Sequence, residues 1–330
     1  MNRALLLLHG TCSSGASLVS SFAKLVPADR FHEEDETESL LNWMLRRYRA
    51  LLGFDYWTLT KSPEQNAELL LSQLPKTWRS GKNRNAEFEI DIICHGQGGL
   101  IARAMTELSD LKIRVNRVMM VGVPNGGSRL AVPENWGTMA DLLVNQVSAD
   151  STGLLGRLSS LLCYLTALGV EGQIPGLQAM RPLVPSEPSK RHATATEPFL
   201  ARLQKPSLAA DVQHAAPRRT QTCVVASNYI PERSTLSLQS ILSEIGDPSL
   251  DKFFAVPYDL IVDTASMWLI DSAVDWTKDV STVAKDDVLL FNTEGDSPAN
   301  ITPQLQSGVH HLNYFCNRSV REFLREKFEE

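Results

Sequence analysis

The sequence predicts an α/β fold with a mostly parallel central sheet and helices on both faces. Three observations predict it. Short apolar runs at Ala4 to Leu8, Ile90 to Ile93 and Arg117 to Val123 read as buried strands. The segments between them carry apolar residues at helical spacing. One stretch, Glu89 to Ala104, joins a strand to a helix through the sharp turn Cys94-His95-Gly96-Gln97-Gly98-Gly99.

Taken in order, Ala4 to Leu8 ends in the small-residue loop His9-Gly10-Thr11-Cys12-Ser13-Ser14-Gly15. Glu33 to Leu52 reads as one helix, with Leu40, Leu41, Met44, Leu45, Tyr48, Leu51 and Leu52 on its apolar face. Phe54 to Leu59 reads as a strand. Ser62-Pro63-Glu64-Gln65 opens the next helix, which runs to about Trp78. Ser62 is its N-cap, Pro63 fits its first turn, and Gln65 completes a capping box. After Val123 the chain turns at Pro124-Asn125-Gly126-Gly127-Ser128. From Trp136 to about Leu168 it reads as helical and unusually apolar, and Pro175 to Pro198 as Pro-rich and irregular. Thr222 to Ala226 and Val288 to Phe291 are strands, and Ser319 to Phe328 is an amphipathic helix. There is no internal repeat.

The 330 residues suffice for one large domain with an insertion, and 43% apolar content supports a sizeable core. A net charge of −6 argues against nucleic acid as the main partner, because phosphate binding needs clustered Lys and Arg. Lys190-Arg191 and Arg218-Arg219 are too short to change that. The five cysteines, Cys12, Cys94, Cys163, Cys223 and Cys316, are odd in number and include no Cys-x-x-Cys pair. That argues for a reducing compartment, and a cytoplasmic location is expected. Leu5 to Leu8 is too short for the apolar core of a signal peptide, and no stretch is long and apolar enough to span a membrane. Met1 lies almost directly on the first strand, so a chain excised from a larger protein, with a fused or partner domain, is an open expectation.

Three loops at strand ends carry reactive residue types. The first is the turn at Gly96. The second is Tyr258-Asp259-Leu260-Ile261-Val262-Asp263, and the third is Gly308-Val309-His310-His311-Leu312-Asn313-Tyr314-Phe315. In chain order they supply a nucleophile position, an acid and a histidine. In such a triad the histidine takes the nucleophile's proton, and the carboxylate fixes its tautomer and stabilises the imidazolium. The turn does not spell the dinucleotide fingerprint, and no acid-bearing second strand follows it at the needed distance.

With these residues in view, the chain resembles the α/β-hydrolase superfamily. Within it the likeness is to the lipase/esterase-like group that includes triacylglycerol lipases and GPI-inositol-deacylase-like proteins. His9-Gly10-Thr11 resembles the oxyanion loop. Ile90 to Arg103 resembles the nucleophile elbow and its helix, and Gly122 to Ser128 the next strand end. Asp259-Leu260-Ile261-Val262 resembles the acid loop, and His311 occupies the general-base position. The matches run from Leu5 to Phe315.

The resemblance implies an α/β-hydrolase fold as a single domain over 1–330, with a helical lid or cap insertion at 128–216. The greasy stretch Leu142 to Leu168 within that insertion is equally readable as plain core. It implies carboxylic ester hydrolysis through an acyl-enzyme, with a small lipophilic ester or acyl substrate and no metal or organic cofactor. The implied roles are nucleophile at position 96, acid at Asp259, base at His311, and oxyanion donors on Gln97 and on Thr11 or Cys12. Asp263, His310 and Cys12 are the alternates. His9 and His95 are expected to be structural flanks of the pocket, and His32, His192 and His214 to be exposed.

One residue departs from the family pattern. Gly96 stands where the family has serine. Without an Oγ no covalent acyl intermediate forms at that position. Glycine is comfortable there, because the elbow conformation costs a residue with a side chain on the order of 1–3 kcal/mol. The sequence therefore implies a serine hydrolase lacking its nucleophile. The alternative is a catalytically dead relative that uses the pocket to bind a ligand or protein.

Overall fold

The computed structural model describes residues 3–29, 31–74, 79–80, 89–108, 112–137, 160, 163–164, 166, 174–182, 198–203, 220–230, 258–270, 283–293 and 301–329. Six strands form one wholly parallel sheet. They are β1 (Arg3–Leu8), β2 (Ala50–Phe54), β3 (Glu89–His95), β4 (Val115–Val121), β5 (Gln221–Ser227) and β6 (Val288–Phe291), in the spatial order β2-β1-β3-β4-β5-β6. The α/β expectation holds. The chain leaves β1 to one side for β2, then returns to its other side for β3. That reversal opens a crevice at the carboxyl ends of β1 and β3, where open α/β sheets bind ligands.

Strand residues alternate between the two faces of the sheet. Leu5 and Leu7 of β1, Ile93 of β3 and Met119 and Val121 of β4 pack on one side. That side is covered by α1 (Gly15–Ala23), α2 (Leu40–Arg47) and the last helix described below. Leu6, Leu8, Ile92 and Met120 face the other side, under α3 (Pro63–Gln73) and α4 (Gln97–Arg103). Both faces are buried, so the strands read as continuous apolar runs rather than as alternation.

The capping box of α3 is present as expected. The Ser62 hydroxyl accepts from the Gln65 N–H, and the Gln65 side chain accepts from the Ser62 N–H. The shorter elements are α5 (Pro175–Gln178), α6 (Phe199–Leu203) and α7 (Thr264–Trp268), followed by α8 (Arg318–Glu329) at the end of the chain. Val320, Leu324 and Phe328 on α8 are each fully buried at helical spacing. Burying each is worth about 1.5–3 kcal/mol.

Three expectations change. The helix predicted over 33–52 is two elements, α2 and then β2. The apolar residues at 51 and 52 serve a sheet edge, with Leu51 opposite Leu5 and Leu52 opposite Leu6. The strand expected at 54–59 therefore ends where it was to begin, at Phe54. The loop after β1 gives way to α1, capped by Ser14, whose hydroxyl accepts from the Ser17 N–H. The leucine-rich stretch at 142–168 lies almost wholly outside the described residues, as do Lys190-Arg191, Arg218-Arg219, His192 and His214.

A buried guanidinium ties the elements behind the crevice. Arg103, at the end of α4, is 1% exposed. It donates to Asn125 Oδ1 (3.1 Å), to the carbonyls of Leu203 (2.8 Å) and Ile270 (2.6 Å), and to Glu107. Asn125 in turn donates to the Met267 carbonyl at 2.7 Å. One side chain thus fixes α6, the end of α7 and the loop after β4. Arg103→Met should lower unfolding stability by about 3–5 kcal/mol, because it takes the donor from three buried acceptors, on Asn125, Leu203 and Ile270. Urea denaturation measures this, and a loss below about 1 kcal/mol would contradict the role given to Arg103.

Candidate active site

The residue after β3 is Gly96, at φ 52 and ψ −127. Its N–H donates to the Val121 carbonyl (3.0 Å), and its own carbonyl accepts from the Gly99 N–H (3.1 Å). These two bonds fix a turn that places residue 96 at the head of the crevice. Residues with a side chain rarely adopt this backbone conformation, so glycine holds the turn without strain.

Asp259 sits in a tight turn on the chain between β5 and β6. Its N–H bonds the Val262 carbonyl (3.0 Å), and Leu260 inside the turn has φ 83. The carboxylate is fully buried and accepts four hydrogen bonds. The Ile261 N–H (3.1 Å) and Val262 N–H (2.8 Å) donate to Oδ1. The Tyr314 hydroxyl (2.9 Å) and His311 Nδ1 (2.8 Å) donate to Oδ2. The His311 N–H also donates to the Asp259 carbonyl at 3.0 Å, so the acid loop and the histidine loop are joined by backbone and side chain together.

With Nδ1–H held by the carboxylate, the lone pair of His311 lies on Nε2. That nitrogen is directed at position 96. A Cβ built on Gly96 would stand 3.1 Å from Nε2. The structure thus brings together Gly96, Asp259 and His311, which the sequence places in three distant loops. Gly122, at φ 58, makes room for them. A Cβ there would stand 3.0 Å from His311 Nδ1 and 3.2 Å from Asp259 Oδ2.

Two of the alternates have other partners, and the third, Cys12, shares the crevice. Asp263 pairs with Arg129 Nε at 2.5 Å, and burial raises its pKa despite that partner. His310 accepts from the Leu312 N–H, and its ring meets Tyr229 edge-on at 5.7 Å. Cys12 lines the crevice, where burial pushes its thiol up to about 11. The Cys12 N–H donates to Thr58 Oγ1 at 3.3 Å. The Gln97 N–H is at the first position of α4, among the donors that a helix leaves without an intrahelical acceptor. The Gln97 side chain holds the elbow to α5 and to the segment after β2, donating to the Gly176 and Thr58 carbonyls (3.0 Å each).

Tyr314 was not singled out from the sequence. It donates to Asp259, and its oxygen lies 3.0 Å from Ser227 Oγ. Its only signal was a place three residues after His311. His95 donates from Nε2 to the His311 carbonyl at 2.7 Å. His9 stacks on Tyr56 with ring centroids 4.2 Å apart. His32 is not free at the surface but bonds Asp29 (2.8 Å) and Glu322 (3.1 Å).

The crevice is a cavity of about 500 Å³ that includes Gly96, Gln97 and His311 in its wall. Pro124, Met180, Ile261, Val262 and Leu312 contribute apolar lining, and Ser13, Ser17 and Ser20 contribute hydroxyls. Among the described residues, no group of three or more His, Cys, Asp or Glu side chains is placed to hold a metal ion. Also among them, no helix is long and apolar enough to cross a membrane.

Residues 1–329 match a family model described as "Domain of unknown function (DUF7379)". A search of curated proteins returns no match. Among solved structures, lipase 1 from Pelosinus fermentans aligns at 11% identity and a TM-score of 0.50, over 99% of this chain and 98% of its own. The mature lipase BlEst2 of Bacillus licheniformis aligns at 12% identity and a TM-score of 0.44, over 98% of this chain and 91% of its own. The Staphylococcus hyicus lipase aligns at 12% identity and a TM-score of 0.39, over 100% of this chain and 94% of its own. At 11% identity the likeness to the Pelosinus fermentans lipase shows the fold alone, which is that of the α/β-hydrolases.

Burial lowers the pKa of His9, which is 2% exposed, against raising contributions from the Gly10 carbonyl and Asp55. His95 is lowered further, first by burial and then by the neighbouring His311, although part of its surface reaches the crevice. The unfolded chain therefore takes up protons on these two histidines around pH 6.5, and the folded chain only at lower pH. Stability should fall as pH drops from 7.5 to 5.5, by up to about 1.4 kcal/mol per pH unit for each histidine. Urea midpoints across that range measure the slope. His9→Gln should flatten it, and an unchanged slope would show that His9 is not its source.

Proposed function

We propose a function from one premise: the chain belongs to the DUF7379 family and carries the α/β-hydrolase fold. Its site is that of a serine carboxylic-ester hydrolase of the esterase/lipase type from which the nucleophile's hydroxyl is missing. The observation that carries this reading is the approach of His311 Nε2 to within 3.1 Å of a Cβ at position 96, with Nδ1 bonded to a fully buried carboxylate. A base so oriented beside a residue in an elbow conformation has the geometry for taking a hydroxyl proton.

In this reading a serine at 96 attacks the ester carbonyl. His311 takes the proton and returns it to the leaving alcohol, and Asp259 orients His311. The Gln97 and Thr11 N–H groups hold the oxyanion. The Cys12 N–H is already occupied by Thr58, which favours Thr11. The apolar lining of the crevice suits a lipophilic acyl group, in keeping with the name of the Pelosinus fermentans lipase. Ser128 and Met180 line the crevice from the segment 128–216, which supports its role as a lid within one domain spanning 1–330. All five cysteines are free, which supports a reducing, cytoplasmic setting. The second reading, a binding module, is favoured by Gly96 itself, since the covalent route is closed in this chain.

Gly96→Ser should restore hydrolysis of short acyl esters, by on the order of 10³-fold or more over the unaltered chain, and labelling by a fluorophosphonate. It should also lower stability by about 1–3 kcal/mol, because a side chain is forced to φ 52. A folded Gly96→Ser protein that neither hydrolyses such esters nor takes the label refutes the hydrolase reading and leaves the binding module.

A further inference from the structure

We propose that the unaltered chain hydrolyses activated short-chain esters directly with water, His311 acting as general base on that water and no acyl-enzyme forming. The inference rests on the ester-hydrolase reading of the site and goes beyond it, because it gives the glycine form an activity of its own.

The loss of a serine from such a site removes the nucleophile but leaves the base. Here the base and its support are intact, and only the bonded oxygen is missing. A Cβ at 96 would meet nothing nearer than His311 Nε2, and its next neighbours, the Gly10 Cα at 3.4 Å and His311 Cε1 at 3.6 Å, are at ordinary contact distances. A serine oxygen would lie one bond beyond that point. A water bonded to nothing at 96 would have to lie beyond that point, in the crevice that Gly96 and His311 both line. Larger residues at 96 would narrow that space, and glycine leaves the most room for a water beside Nε2.

The step balances without a cofactor. The Nε2 lone pair of His311 takes a proton from water as the water oxygen bonds to the acyl carbon. The carbonyl pair moves onto oxygen, where the Gln97 and Thr11 N–H groups hold it. The pair then returns, the bond to the alkoxy oxygen breaks, and that oxygen takes the proton from Nε2. The products are one carboxylic acid and one alcohol, and His311 returns to neutrality.

Cys12, Cys94 and Ser128 are poor competing nucleophiles. Cys12, with its thiol at about 11, is thiolate in only about one molecule in 10⁴ at neutral pH. Cys94 is buried, and its thiol donates to the Met119 carbonyl. The Ser128 hydroxyl donates to the Ile261 carbonyl at 2.7 Å. None of these contacts includes His311.

The test uses p-nitrophenyl acetate and the full chain. The unaltered protein should hydrolyse it without a pre-steady-state burst and without an acyl adduct on any residue of the crevice by peptide mass mapping. His311→Gln should lower the rate by about 10²-fold or more. The unaltered chain needs no variant for a second reading, a solvent deuterium isotope effect of about 2 or more from proton transfer out of water. Equal rates for the unaltered and His311→Gln proteins, an isotope effect near unity, or an adduct on His311 or Cys12 would each overturn the proposal. An inert unaltered chain beside an active Gly96→Ser protein defeats the water route while the hydrolase reading stands. If both are inert, both fail.

Discussion

A carboxylate with no exposure to water must be met by hydrogen-bond donors, and the structure around the crevice is arranged by that requirement. Asp259 collects four donors from three places: two from its own turn, one from Tyr314 and one from His311. The loops after β5 and β6 are thereby locked together, since neither can move without stranding a buried charge. The orientation of His311, and with it the direction of Nε2, follows from this one constraint. The sheet order adds the rest, because the reversal between β1 and β3 brings the turn at Gly96 beside the loop at Thr11.

Much of this was legible in the sequence wherever a residue type has one physical use. Ser62-Pro63-Glu64-Gln65 spells a helix start through hydrogen bonds confined to four residues, and the structure shows each of them. The β3–Gly96–α4 unit was legible because a β-branched run followed by small residues admits few other backbones. The sequence read less well where one pattern serves two structures. Leu51 and Leu52 continue a helical spacing, yet their partners in β1 are far away in the chain, and pairing overrides local preference. Helix α1 was hidden among small residues that also suit a loop, although Leu18 and Phe22 are spaced for one buried face.

The site divides in the same way. The acid, the histidine and the turn could be named from short motifs in chain order. Tyr314 could not, because a tyrosine near a histidine has no fixed meaning until the distance of its hydroxyl to Asp259 is known. Asp259 and Asp263 differ in their partners, which only the structure shows: four residues apart, one faces His311 and the other Arg129. Arg103 belongs to this class too. Its place after the elbow is visible in the sequence, but its partners on α6 and after α7 come from the far side of long intervening segments.

The order in which the four donors to Asp259 are made has a consequence for folding. A chain growing from its N-terminus makes the turn at Gly96 and both of its flanking strands early, then Asp259 with the two amides of its own turn. His311 and Tyr314 come only with the last loop, just ahead of α8. Until then the carboxylate has half of its partners and must stay hydrated, so the crevice side of the sheet cannot close dry. Dry closure of this end of the molecule therefore requires the loop that carries His311 and Tyr314.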